Sequence, residues 1–186
     1  MYEALALLEL SLWLGLPAWI ANAMPVIFGG GRPMDGGRTL QDGYRILGEG
    51  KTIRGFVVGV FLGSLTGVAQ YFSAPYILPV MQQFVIVSPD MEYVLFMTIP
   101  AAILLSTGAL VGDLIGSFLK RRVNVQSGAP SPILDQLGFI VMALIFAYPF
   151  LQPDSVYAAI LILMTLGIHW LSNALGYLVG LKENPW

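Results

Sequence analysis

The nine Lys and Arg residues of this chain fall almost entirely in two clusters, Arg32 to Arg54 and Lys120 to Arg122, with only Lys182 apart. Between and beyond them run stretches without any charge: Leu10 to Gly31, Gly55 to Pro89, Tyr93 to Gly112, Gln136 to Pro153 and Ser155 to Leu181. A helix needs ~20 apolar residues to cross the hydrocarbon core. The expected fold class is therefore all-α: one integral membrane domain over 1–186, with five transmembrane helices near 5–28, 53–73, 92–119, 133–152 and 155–181. Composition agrees, with 56% hydrophobic residues, 11% charged and a mean hydropathy of +0.75, where a soluble domain carries about a quarter charged residues. Pro75 and Pro79 are expected to interrupt the second run, so that 74–90 forms a loop or a re-entrant segment.

Lys and Arg stay on the cytoplasmic side of a membrane, while acids contribute little to orientation. Five crossings with the N-terminus outside place the loops at 29–52 and 120–132 and the C-terminus with Lys182 in the cytoplasm, in accord with all nine basic residues. Glu3, Asp90, Glu92 and Asp154 then fall outside. A rival reading makes the first segment a cleaved signal peptide ending at Ala21-Asn22-Ala23, but it lacks a basic n-region and carries Glu3 and Glu9. The chain has no cysteine, which removes disulfides and thiolate chemistry, and a single histidine, which removes a poly-His metal cage. Its net charge of -2 hides a basic inner face suited to anionic head groups, phosphates or nucleotides. Orientation alone is the competing account of those charges.

The first basic cluster is also a glycine loop. Gly29-Gly30-Gly31-Arg32-Pro33-Met34-Asp35-Gly36-Gly37-Arg38 continues through Asp42, Arg45 and Gly48-Glu49-Gly50-Lys51-Thr52. Such density lets backbone approach a ligand and present N–H groups, and Arg and Lys offer donors to phosphate oxygens. The spacing is not that of a P-loop, and flexible connectors have similar composition. Gly55, Gly59, Gly63 and Gly67 then recur at intervals of four, a smooth stripe that fits either packing inside one subunit or a homodimer contact.

The third span ends Gly112-Asp113-x-x-Gly116-Ser117-x-x-Lys120-Arg121-Arg122, with Asp113, Gly116, Ser117 and Lys120 at one-face spacing. An acid in a membrane helix is costly and marks a functional site by default, the plainer account being an interfacial pair with Lys120 or a nearby Arg. Asp135 opens the fourth span. Two carboxylates flanked by cations, beside a glycine loop, are what a magnesium–phosphate centre uses, since Mg2+ takes few protein carboxylates and completes its octahedron with phosphate oxygens and water.

These residues also carry a resemblance. Lys51-Thr52-x-x-Gly55-x-x-x-Gly59 at the opening of a span, Ser117-x-x-Lys120-Arg121 followed by Asp135, the loop pattern Asp35-Gly-Gly, Asp42 and Arg45-Ile-Leu-Gly48, and the early Asn22-x-x-Pro25 together resemble the archaeal CDP-archaeol synthases, relatives of the CDP-diacylglycerol synthases. The resemblance covers Asn22 to Gly138 at least. Where bacterial relatives have Lys-Asp after the Lys-Arg pair, this chain has Gln126-Ser127, and where they end in Asp-Arg-x-Asp it has Asp135-Gln136-Leu137-Gly138, without the second acid. Asp113 can supply the other carboxylate.

The resemblance implies a cytidylyltransferase of phospholipid biosynthesis in the cell membrane, with its active site facing the cytoplasm. An unsaturated diether glycerol phosphate attacks the α-phosphorus of CTP, giving CDP-archaeol and pyrophosphate. Mg2+ is expected on Asp113 and Asp135. Lys120, Arg121, Arg122, Lys51 and Arg54 are expected to hold the triphosphate and the lipid phosphate. The loop through Asp35, Asp42 and Arg45 covers the nucleotide, with Asn22, Thr52 and Ser117 as further binding residues. Two other classes stay open: a CTP-dependent polyprenol kinase, which would release CDP, and a small lipid or anion transporter, which would need charges along a mid-membrane path. His169 and Asn173 share a face of the last span and read as a buried interhelical hydrogen bond; Trp19, Trp170 and Trp186 read as interfacial anchors or packing residues. Membrane lipids are expected around the chain and no nucleic acid, because the basic residues lie against spans rather than on a soluble face with aromatics.

Overall fold

The structure, a computed structural model, describes residues 2–126 and 131–181. Six helices follow in order: α1 (Tyr2–Phe28), α2 (Ile53–Met81), α3 (Pro89–Leu95), α4 (Ile99–Arg122), α5 (Pro132–Ala147) and α6 (Ser155–Leu178). Four of them, α1, α2, α4 and α6, are long and apolar enough to cross a membrane. With 16 residues, α5 spans about 24 Å at 1.5 Å per residue, short of the ~30 Å hydrocarbon core. Among the described residues the only strand-like pairings are isolated bridges, Pro33 with Thr52 and Thr39 with Arg45. Lys182, Trp186 and residues 127–130 of the loop expected at 120–132 lie outside the described residues.

Two expectations change. Pro75 and Pro79 do not interrupt the second helix, which runs through both to Met81. Each proline removes one backbone donor, and both side chains point to the exposed face; in lipid, breaking the helix would strand several more polar groups. Residues 74–81 therefore belong to α2 and only 82–88 form the turn. The third run is in turn divided, because Ser88 caps α3 by accepting from Met91 N–H, and Thr98 caps α4 by accepting from Ala101 N–H. Each cap is followed by a proline at the start of its helix, Pro89 and Pro100, where a missing N–H costs nothing.

α1 is the central element, touching all five other helices. Pro17 lies inside it and cannot donate to the carbonyl of Trp13; Gln70 of α2 donates its amide to that oxygen instead, at 2.6 Å. The glycine stripe of α2 is buried along its whole length. A Cβ at Gly59 would meet the Ala21 carbonyl and Leu110, and one at Gly63 the Pro17 carbonyl at 2.6 Å and Ser106. The stripe thus lets α2 press against α1 and α4 together, and it is consumed inside the subunit. A second stripe, Gly108, Gly112 and Gly116, does the same for α4 against Met142, Gly138 and Leu134 of α5. Gly63→Ala is expected to destabilise the protein by about 1–3 kcal/mol through overpacking against backbone; a thermal unfolding midpoint in detergent equal to wild type would contradict this contact.

These contacts set directions. α2 runs antiparallel to α1 and α4, α5 antiparallel to α4, and α6 parallel to α1, since Gly15 meets Leu161 and Trp19 donates its indole N–H to Thr165 Oγ1 at 3.1 Å. One side of the bundle therefore gathers the C-terminal ends of α1, α4 and α6, the N-terminal ends of α2 and α5, and the 29–52 loop.

Candidate active site

The 29–52 loop is folded around a carboxylate. Asp35, whose side chain has no exposed surface, accepts from the Arg45 guanidinium at 2.6 and 3.3 Å and from the N–H groups of Gly37, Leu47 and Gly48 at 2.9 to 3.1 Å. Gly36 and Gly37 have φ of 59° and 81°, the left-handed conformation that turns the chain back onto this acceptor. Burial on its own would raise the Asp35 pKa, but the Arg45 guanidinium and the N–H groups of Gly48, Gly37 and Leu47 outweigh it and hold the carboxyl well below the usual carboxylate range. Arg45 is correspondingly raised, first by its hydrogen bond to Asp35, and it also reaches Glu49 at 3.1 Å. Met34 N–H donates to the Lys51 carbonyl and Ile53 N–H to that of Arg32, so both ends of the loop are tied to the start of α2.

Arg122 fastens the loop to α4. Its guanidinium reaches Asp42 at 2.6 Å, donates to the Arg45 carbonyl at 2.6 Å and lies 5.1 Å over the Phe118 ring. Asp35, Asp42, Arg45 and Arg122, four residues the sequence marks for substrate binding, thus meet one another. Arg32, Arg38 and Arg54 are exposed around them and take part in none of the five ion pairs among the described residues.

Asp113 and Lys120 lie seven residues apart, about 10 Å along a helix at 1.5 Å per residue, and each pairs elsewhere. Lys51 Nζ meets Asp113 Oδ2 at 2.6 Å, joining the end of the glycine loop to α4. Lys120 Nζ meets Asp135 Oδ1 at 2.7 Å, joining α4 to α5. Both pairs are partly open to their surroundings. A small cavity touches Lys51, Thr52, Asp113, Met34 and Pro25, so the first pair faces space bounded by loop, α1, α2 and α4. Thr52 caps α2 by accepting from Gly55 N–H at 3.1 Å. Ser117 is buried in the body of α4.

Among the described residues, Arg121 is the most enclosed cation. It is 7% exposed, donates to the Gln126 carbonyl at 3.0 Å, and its Nε has no partner. Burying a guanidinium with so little compensation carries a desolvation cost, which a bound anion would offset.

The carboxylates suit a hard cation in donor type, though no group of three or more His, Asp or Glu able to hold a metal occurs among the described residues. Asp113 stands three residues before Gly116, which packs on Leu134, the neighbour of Asp135. A metal bound by few protein oxygens and otherwise by phosphate and water fits that sparse set.

Asn22 lies away from the loop and lines a larger groove of about 510 Å3 between α1 and α6. His169 and Asn173 line it too, their Nδ1 and Nδ2 atoms 3.2 Å apart along α6. The sequence places these polar residues in spans without revealing the groove; the cue is that Asn22 and the His169–Asn173 pair fall in the halves of α1 and α6 that lie toward their C-terminal ends.

The family model described as CarS-like, CDP-archaeol synthase, matches residues 4–186. The chain belongs to this CDP-archaeol synthase family. A CDP-archaeol synthase of Thermococcus kodakarensis is 47% identical over 174 residues, covering 94% of each chain, and one of Thermococcus gammatolerans 46% identical over 183 residues, covering 98% of this chain and 99% of the relative. A CDP-archaeol synthase of Methanopyrus kandleri is 43% identical over 178 residues, covering 94% and 91%. A solved structure, described as an intramembrane enzyme for archaeal membrane lipids biosynthesis, superposes with a TM-score of 0.70 at 36% identity, covering 87% of this chain and 91% of its own. The family resemblance carried by Lys51-Thr52, Ser117-x-x-Lys120-Arg121 and Asp135 thus extends to nearly the whole chain.

Proposed function

We propose that this protein transfers the cytidylyl group of CTP to a diether glycerol phosphate, giving CDP-archaeol and pyrophosphate, at a site on the cytoplasmic face of a five-span bundle with its N-terminus outside. The observation that carries the reading is the Lys51–Asp113 pair, which brings a loop cation and a membrane-helix acid to one cavity beside Arg-rich backbone. Family membership favours cytidylyl transfer over the kinase and the transporter. Five crossings require the short α5 to cross as well, a reading supported by its antiparallel packing against α4.

In the reaction an oxygen of the ionised lipid phosphate attacks the α-phosphorus, and the bond from that phosphorus to the oxygen bridging to the β-phosphate breaks. Pyrophosphate leaves with the electron pair. No strong base is required, so catalysis rests on positioning and on neutralising charge over the phosphate oxygens. Lys51, Lys120, Arg121 and Arg54 supply that neutralisation, and the loop held by Asp35, Arg45, Asp42 and Arg122 covers the nucleotide. Asp113 and Asp135 would hold Mg2+, which when bound neutralises triphosphate charge and favours departure of pyrophosphate. With Asp113 and Asp135 holding a cation, their present partners Lys51 and Lys120 would be free to face phosphate.

Purified protein in detergent, given CTP, Mg2+ and di-O-geranylgeranylglyceryl phosphate, is expected to release pyrophosphate in equal amount with a CDP-lipid. Release of CDP with a newly phosphorylated alcohol, or no nucleotide turnover, overturns the reading.

A further inference from the structure

α1 and α6 touch at Gly15–Leu161 and at the Trp19–Thr165 hydrogen bond, and past that point the space between them opens into the 510 Å3 groove. From Thr165 to Leu178 it follows α6 for about 20 Å at 1.5 Å per residue, comparable to one leaflet of a ~30 Å hydrocarbon core. Its walls are mostly apolar, with small residues at Ala23 and Gly176, and its volume lies within the ~300–1,000 Å3 of ligand pockets. The end away from the Trp19–Thr165 bond is on the side of the ion pairs. A single stretch of α1 separates the two spaces: Asn22 and Val26 face the groove, while Pro25 borders the cavity of Lys51 and Asp113.

We propose that this groove holds one isoprenoid chain of the acceptor lipid, with the Trp19–Thr165 bond as a floor that limits how far the chain descends. The assignment rests on the cytidylyl-transfer reading for the identity of the lipid. Three features favour a substrate chain as occupant. The groove runs along the helix axis, as a lipid chain does. Its open end adjoins the phosphate-binding cations across one helix. Its lining is mostly apolar, with Val26, Ile27, Phe139, Ile168 and Leu175 among it, as a hydrocarbon chain requires.

The test combines a groove-filling variant with labelling of the wild type. Ala23→Trp, one turn above the floor, is expected to raise the KM for di-O-geranylgeranylglyceryl phosphate at least tenfold while leaving the KM for CTP and turnover of a di-O-octyl analogue, whose chains stop short of it, near wild type. An unchanged KM for the long-chain lipid overturns the proposal. Independently of activity and of that variant's folding, a geranylgeranyl lipid phosphate carrying a terminal diazirine is photolysed with wild-type protein without CTP. Adducts mapping to Trp19–Ile27 and Ile168–Val179 are expected. Adducts confined to α2 or α5, or protection of the groove by a second copy of the chain, overturn it. Labelling of the groove by a wild type that makes no CDP-lipid leaves the groove standing and removes the cytidylyl reading alone.

Discussion

Asp113→Asn is expected to lower cytidylyl transfer by at least ~10²–10³-fold while the protein remains folded and extractable in detergent. The substitution keeps shape and volume but removes the negative charge that Lys51 meets at 2.6 Å. Because both partners are partly open, loss of the pair alone costs little stability, ~1 kcal/mol or less. The effect on turnover is larger on the proposal that this carboxylate and Asp135 hold a cation against the triphosphate. Asp135→Asn is expected to behave likewise, with Lys120 as the stranded partner. Steady-state pyrophosphate release and a melting curve on each variant separate the two effects. Near-normal activity in both variants would remove the metal assignment; a large drop in melting temperature would recast the pairs as structural.

The second large effect is expected at Asp35, remote in role from the transferred phosphorus. Asp35→Ala leaves three loop N–H groups and the Arg45 guanidinium without their shared acceptor, each a loss on the order of 1–3 kcal/mol when buried. The loop should open, tryptic cleavage at Arg38 and Arg45 should accelerate, and the KM for CTP should rise at least tenfold while α1 to α6 keep their helicity. Cleavage at the wild-type rate would contradict this. The pH dependence has a defined sign. The folded carboxyl titrates below its unfolded value, so its contribution is full above about pH 4 and fades only as acid carries the pH further down toward the folded pKa. Loop protection against an acid-active protease should therefore persist to lower pH than a free aspartate would allow.

The uncharged runs made α1, α2 and α6 legible because lipid demands uninterrupted apolar helices, and the stripe from Gly55 to Gly67 announced its own packing. The break between α3 and α4 was less visible, since hydropathy does not register a capped helix start; Ser88-Pro89 and Thr98-Ile99-Pro100 are the local signals. Gly108, Gly112 and Gly116 carried the same spacing as the first stripe and were passed over beside Asp113. At the site, residue types identified Lys51, Asp113, Lys120 and Asp135, but not who meets whom. Helical spacing suggests Asp113 with Lys120, whereas two turns separate them and α2 and α5 bring the nearer partners. Nor does a sequence say that Asp35 and Arg45 spend their charge on each other.

The amide that Gln70 lends to the Trp13 carbonyl bears on how the chain is made. An unsatisfied carbonyl in hydrocarbon costs several kcal/mol. As the ribosome delivers α1, the Trp13 carbonyl left without a donor by Pro17 is a debt that Gln70, 57 positions downstream, discharges in the folded chain. The first helix thus enters the bilayer unfinished, and the pair α1–α2, rather than either helix singly, is the smallest unit that insertion can complete.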